Sequence, residues 1–218
     1  MQKFPFATIS DFCWPIFQYL QKFSLHPDAE VRNAAIWGYG LMIPKIPKHL
    51  LGAKEVGEIV DVAQKAGSIE QGGEENSTYN HCSDNCVAVL GTVLQEFGHI
   101  HDLDHIVDGW LSLLPLREDK GEGKKQIQLL MKLVEGNPTQ LATSEMRLAE
   151  VLRVYGEFIE LVEKKPRKDY QWLLGEMRDH FQGLTQWPAF KGCAESLEEA
   201  LSKKVLGKME RLASGKYL

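Results

Sequence analysis

Cysteine is scarce in this chain, with Cys13, Cys82, Cys86 and Cys193 the only four among 218 residues. So thin a set forms no small disulfide framework, and reduced thiols in an intracellular protein are the simpler reading. Apolar runs of transmembrane length are missing, which excludes a membrane span. The N-terminal MQKFPFATISDF lacks the charged-then-apolar order of a secretory signal. Also missing are a Gly-rich phosphate loop, a G-x-S-x-G elbow and an H-E-x-x-H pair, so no catalytic residue and no cofactor is expected. There is no excess of positive charge; a net charge of -5 argues against nucleic acid as the main ligand and leaves room for a basic partner. Sustained strand alternation is absent too. The fold class this leaves is all-α.

What is present is helical periodicity, most plainly from His101 to Asn137. Leu103, Ile106, Val107, Trp110 and Leu114 recur at the three-and-four spacing of one helical face. Pro115 ends or bends that helix. Glu118, Asp119 and Glu122 then suit a helix N-terminus, followed by Ile127, Leu130, Met131 and Val134 and a stop at Gly136. Two helices folded back on each other leave apolar faces uncovered, so this hairpin needs neighbours of its own kind.

Those neighbours are legible on both sides. A helix over Thr8 to Phe23 carries Phe12, Ile16, Tyr19, Leu20 and Phe23, with Pro15 as a kink or late start. After a turn at Pro27 and Asp28, a second helix places Val31, Ala34, Ala35, Gly38, Tyr39 and Met42 on one face. Pro44 and Pro47 close it. Lys54 to Ala66 reads as a third helix, and the polar, glycine-bearing segment 71–78 as a long loop. Cys86, Val87, Leu90, Leu94 and Phe97 form the next stripe. Beyond the central hairpin, Thr143 or Ser144 can cap a helix bearing Ala149, Leu152, Tyr155, Ile159 and Val162. Pro166 starts another with Tyr170, Leu173, Leu174, Met177 and Phe181, and 189–212 is charged and helical.

Acidic starts of the second helices at Asp28, Asp84 and Asp119, and a looser start at Pro166, recur at a mean spacing near the roughly 40–47 residues of HEAT-type repeats. The expected architecture is an α-α superhelix, a HEAT-repeat solenoid of about five antiparallel helical hairpins over 8–43, 54–97, 102–135, 143–182 and 187–213. It forms one domain over 1–218. Such stacks offer an extended concave surface.

Three phrases carry a specific resemblance. DAEVRNAAIWGYG at 28–40 and SDNCVAVLG at 83–91 resemble second helices of HEAT repeats in the karyopherin-β (importin-β) nuclear transport receptors. VDGWLSLLPLRED at 107–119 resembles a W-L-x-x-L-P-L-x-x-D signature near the C-terminus of the importin four and importin five type. The matches span roughly 15–140, and beyond Ser144 the chain fits only generic helical repeats. Receptors of this family are far longer, so the resemblance implies a fragment of a longer receptor, without the repeats that bind the Ran GTPase.

The resemblance implies basic protein cargo, such as nuclear localisation signals or histone tails, lying along the second helices. Ran and nucleoporins would be met only through the full-length receptor, in cytoplasm, nucleus and nuclear pore, with no direct nucleic acid and no membrane. Carboxylates and carboxamides with a nearby aromatic suit lysine side chains through charge-assisted hydrogen bonds and cation–π contacts. The positions are Trp37, Asp84, Asn85, Glu118, Asp119 and Glu122. The plainer reading is that these acids only cap helices, at about 0.3–1 kcal/mol each.

Two rivals read differently. His81, Cys82, Cys86, His99, His101 and His105 are all zinc-ligand types, but the familiar motif spacings are missing and Cys86 belongs to an apolar stripe, so no metal is expected. Asp102, Asp104 and Asp108 alternate with apolar residues and read as a solvated helix face. The basic run at 163–168 reads as a solvated inter-helix loop. The alternative function is a general HEAT-repeat scaffold for assembling another protein complex.

Overall fold

The computed structural model describes residues 6–69, 77–97, 103–136, 145–164, 168–186 and 203–215. All regular structure among them is helical: α1 Phe6–Phe23, α2 Ala29–Met42, α3 Ala53–Gly67, α4 Ser77–Phe97, α5 Leu103–Leu113, α6 Lys120–Gly136, α7 Glu145–Lys164, α8 Lys168–Leu184 and α9 Lys203–Ala213. Two 3-10 turns, Ile43–Lys45 and Lys48–Leu50, follow α2 where Pro44 and Pro47 deny further α-helical bonds. The chain is all-α. No described helix is long and apolar enough to cross a membrane.

The chain divides into two compact units, Met1–Glu122 and Gly123–Leu218. The boundary falls in the first turn of α6, within the hairpin expected over 102–135. In the first unit α2 packs most extensively on α4, α3 pairs with α4, and α1 with α2. The contacts give the directions. Asn33 meets Asn85, and Val89 lies so close to Gly40 that a Cβ there would stand 3.1 Å from it, so α2 and α4 run parallel. Gln64 donates to the His105 carbonyl at 3.2 Å, and Leu113 lies against Gly67, so α3 and α5 also run parallel. A Cβ on Gly109 would displace the flexible end of the Gln64 side chain, and that hydrogen bond with it. First helices beside first helices and second beside second is the arrangement of stacked hairpins.

Two apolar faces differ from the sequence pattern. On α1, Cys13 and Phe17 are buried, while Phe12, Ile16 and Tyr19 are exposed at 63%, 48% and 64%. That helix has large apolar residues on most of its circumference, so periodicity cannot choose the face; stacking of Phe17 on Tyr39, at 4.4 Å between centroids, does. On α2 the buried set is Arg32, Ala35, Ile36 and Tyr39, one residue round from the expected stripe, and Val31 is exposed. The cause is Arg32. Its guanidinium Nη1 donates to the carbonyls of His26 at 2.6 Å and Pro27 at 3.3 Å, which draws a charged residue into the core. Asp28 stands before α2 as its cap, accepting from Glu30 N–H at 2.9 Å and Val31 N–H at 3.2 Å.

α4 is also longer than its stripe suggested. It begins at Ser77, so the tail of the expected 71–78 loop is helix; residues 70–76 lie outside the described set, as do Gly98, Thr143, Ser144, Pro166 and most of 189–212. Trp110 is fully buried beside Ile106, Val107 and Leu111, as its stripe required.

In the second unit α9 packs on α7 and α8. Ion pairs fasten it: Lys208 Nζ, on a residue only 4% exposed, lies 3.0 Å from Glu163 and 3.3 Å from Glu160, and Lys204 Nζ lies 2.7 Å from Glu160. The ammonium groups of Lys204 and Lys164 hold the Glu160 carboxyl down to about 2. α6 and α8 run side by side and parallel, through Lys124 over the Trp172 ring at 4.7 Å, Gln128 to Glu176, and Glu135 to His180.

Candidate functional site

The six residues singled out from sequence serve different ends. Asp84 is only 4% exposed and lies two turns inside α4 rather than at a helix start. Its Oδ1 accepts from the Arg117 N–H at 2.9 Å, and its Oδ2 from the Glu118 and Asp119 N–H groups at 2.8 and 2.7 Å. Burial pushes this carboxyl above its ordinary value, and the three backbone donors pull it back. Asp84 thus anchors the segment leading into α6, and neither a cap nor a surface contact describes it. Both expectations are corrected by the same fact, that α4 starts at Ser77 and carries Asp84 inward.

Asn85 Nδ2 donates to Asn33 Oδ1 at 2.7 Å and ties α4 to α2. Glu118 is half-buried, with Oε1 accepting from Asn80 at 3.4 Å. Asp119 is exposed and immediately precedes α6; its Oδ1 accepts from the Glu122 N–H at 2.9 Å, the geometry of a helix cap. Glu122 is half-buried in the first turn. Trp37 is 60% exposed on the side of α2 away from Ile36 and Tyr39. The fold therefore brings Asp84, Glu118, Asp119 and Glu122 into one turn and uses Asn85 to brace the second helices. Asn33 and Asn80, which complete these contacts, carry no signal in sequence beyond being carboxamides at helical positions.

The Cys and His cluster separates. Cys82 and Cys86 are fully buried one helical turn apart, next to Arg32. The Cys86 thiol, by hydrogen bonding, and the Arg32 guanidinium bring Cys82 down to about 7 against the opposing effect of burial, while Cys86 is pushed up. His105 is exposed, 3.7 Å from Asp61, and His81 is exposed. His99 and His101 lie outside the described residues. Among the described residues no group of three or more His, Cys, Asp or Glu is placed to hold a metal ion.

The second unit holds a cleft of about 520 Å³ between α6 and α8 that the sequence reading passed over. Gln128, Met131, Lys132 and Glu135 line it from α6; Glu176, Asp179, His180 and Gly183 line it from α8. Each set falls at i, i+3, i+4 and i+7, one face of a helix. That periodicity was readable beside the apolar stripes, but nothing in the sequence says the two faces meet.

His180 organises the cleft's chemistry. It is 8% exposed, and its Nδ1 lies 3.1 Å from Glu135 Oε1. Burial pushes its pKa down, with Glu135 opposing, so the ring is neutral near pH 7. The carboxylate at Nδ1 assigns the proton to that nitrogen and leaves Nε2 as an acceptor. Nε2 is buried with no hydrogen-bond partner among the described residues, as is the hydroxyl of Tyr155, whose ring meets His180 edge-on at 5.8 Å. Glu176 accepts from Gln128 at 3.4 Å, and Asp179 pairs with neighbouring Arg178 at 2.7 Å.

No family model matches this chain, and no solved structure matches it.

Proposed function

We propose that this chain is a stacked-helix binding segment that captures extended basic segments of partner proteins, in the manner of a karyopherin-β-type transport receptor. The observation that carries the reading is the turn before α6. One buried carboxylate, Asp84, fixes three successive backbone N–H groups, and the acids Glu118, Asp119 and Glu122 follow at or near the surface. Rigidly placed carboxylates bind an ammonium or guanidinium group with less ordering cost than mobile ones. Trp37 offers an exposed aromatic face on the same unit for cation–π contact. Cargo of the histone or ribosomal-protein type, and cytoplasmic and nuclear residence, follow from the resemblance at 28–40, 83–91 and 107–119.

The test is titration with a lysine-rich histone-tail peptide at low and physiological salt. The comparison is a Glu118→Lys/Asp119→Asn variant, in which Asn keeps the helix cap. Binding by the wild type that weakens with salt, and weakens at least tenfold in the variant, is the expected result. Equal binding by both removes the acidic turn from the mechanism.

A second reading has its own observation. Phe12, Ile16 and Tyr19 expose an apolar stripe along α1, the kind of surface a scaffold presents to a folded partner. Binding that is insensitive to salt, and lost on Ile16→Asp, would favour the scaffold.

A further inference from the structure

The basic-partner reading asks for faces that hold lysine and arginine side chains, and the second unit already holds a basic helix of its own. Lys204, Lys208 and Arg211 of α9 fall at i, i+4 and i+7, one face of the helix. They meet two acids of α7. Lys204 lies 2.7 Å from Glu160, Lys208 lies 3.3 Å from Glu160 and 3.0 Å from Glu163, and Arg211 lies 3.5 Å from Glu163. Both acids stand near the C-terminal end of α7, which closes at Lys164. Carboxylates there oppose the helix macrodipole, so this face calls for cations against it. Lys164, 3.2 Å from Glu160, supplies one from α7 itself, and α9 brings the others. Met209 and Leu212 are buried beside them, so what the face accepts is an amphipathic basic helix.

We propose that the Glu160 and Glu163 face of α7 docks an amphipathic basic helix of a partner protein, and that α9 occupies this face in cis as the competitor. The proposal rests on the basic-partner reading and names a second face and a helical partner for it. α9 shows the pattern such a partner follows: cations at i, i+4 and i+7, with apolar residues after the last two. Its own hold is limited. The helix has 11 residues, too short to be stable apart from the face it packs on. The side chains of Lys204 and Arg211 are 65% and 49% exposed, and exposed ion pairs hold weakly and are screened by salt. Lys208, whose side chain is 5% exposed, is the anchor. A tethered segment competes at an effective concentration on the order of millimolar. A partner therefore prevails by bringing a longer helix or more cations than α9 has.

The experiment uses the full chain and two acetylated, amidated alanine-based peptides of about 18 residues, long enough to form helix alone. One carries arginine at i, i+4 and i+7 with leucine after the last two; the other has the same composition with that spacing broken. At saturation with the first, the α9 amides should exchange about tenfold faster while those of α7 and α8 stay protected. Lys204→Gln/Arg211→Gln loosens α9 and should tighten binding of that peptide about tenfold. Adding Glu160→Gln/Glu163→Gln to this variant should reverse the gain. Retained protection in α7 and α8 shows that a variant folds, and if one does not, the wild-type exchange measurement decides alone. Binding that leaves α9 protection unchanged overturns the proposal. So does equal binding of both peptides, or a gain that the acid substitutions do not reverse. Histone-tail binding without helical-peptide binding sinks the α7 face and leaves the basic-partner reading intact. If neither the helical peptides nor the histone-tail peptide binds, both fall.

Discussion

A single carboxylate shows how much a residue's role depends on where its helix starts. Asp84 has the sequence context of a helix cap or a surface acid, yet it is 4% exposed and accepts three backbone N–H bonds within 2.9 Å. Removing it leaves three part-buried donors without their acceptor. Asp84→Ala should therefore destabilise the first unit by about 3–5 kcal/mol, and Asp84→Asn by less, since Asn keeps one acceptor oxygen. Urea denaturation of both variants checks this; a loss for Asp84→Ala below about 1 kcal/mol would mean that water serves the same donors. Asn85, one position on, braces α4 to α2, and Asp119 caps α6. The cap was readable, because Asp before a helix with an acid three residues later is a local signal. The anchor was not, because its partners lie over thirty residues away.

Helix positions in this chain are local facts, and helix faces are not. α1 carries apolar side chains on so many sides that two stripes compete, Phe12–Ile16–Tyr19 and Cys13–Phe17–Leu20. Contact with Tyr39 of α2 selects the second. Phe17→Ala should cost about 3–5 kcal/mol as a fully buried aromatic, while Phe12→Ala should stay within about 0.5 kcal/mol as a surface change. Chemical denaturation of the two variants side by side distinguishes the faces, and equal losses would mean that Phe12 is covered in solution. α2 turned for another reason. Arg32 looks like a solvated residue in a hydropathy pattern, but two turn carbonyls at its Nη1 give it a place inside. The acceptors that Nη1 finds there offset part of the cost of burying the group.

The two units respond differently to acid. In the second, Glu160 is held at about 2, below its ordinary 4.5, by Lys204 and Lys164, and His180 is pushed below its ordinary 6.5 by burial. A depressed folded-state pKa gives stability that is present at higher pH. It is lost as pH falls, because the unfolded chain takes up the proton first. The His180 part is lost below 6.5, and the Glu160 part between 4.5 and about 2. Asp84 in the first unit has the opposite sign, since its raised pKa lets the folded state keep a proton that the unfolded state releases. Amide hydrogen exchange, corrected for intrinsic rates, should therefore show α7 to α9 losing protection before α2 and α4 on acidification from about pH 7 to about pH 4. His180→Gln should flatten the part of that loss lying just below 6.5. Loss of protection in α2 and α4 first would contradict these assignments.

The sequence by itself determined that the chain is all-α and where most described helices run, because helical spacing, Pro44, Pro47 and Pro115, and the caps at Asp28 and Asp119 act within a few residues. It also placed Trp110 in the core, since α5 has only one strongly apolar face. Only the tertiary structure decided which face of α1 and α2 is buried, that Asp84 anchors a distant turn, and that Glu135, Glu176, Asp179 and His180 share a cleft. Each of those outcomes depends on what a neighbouring helix offers in donors, acceptors and shape. A helix's own periodicity fixes which residues share a face but carries no information about what that face will meet.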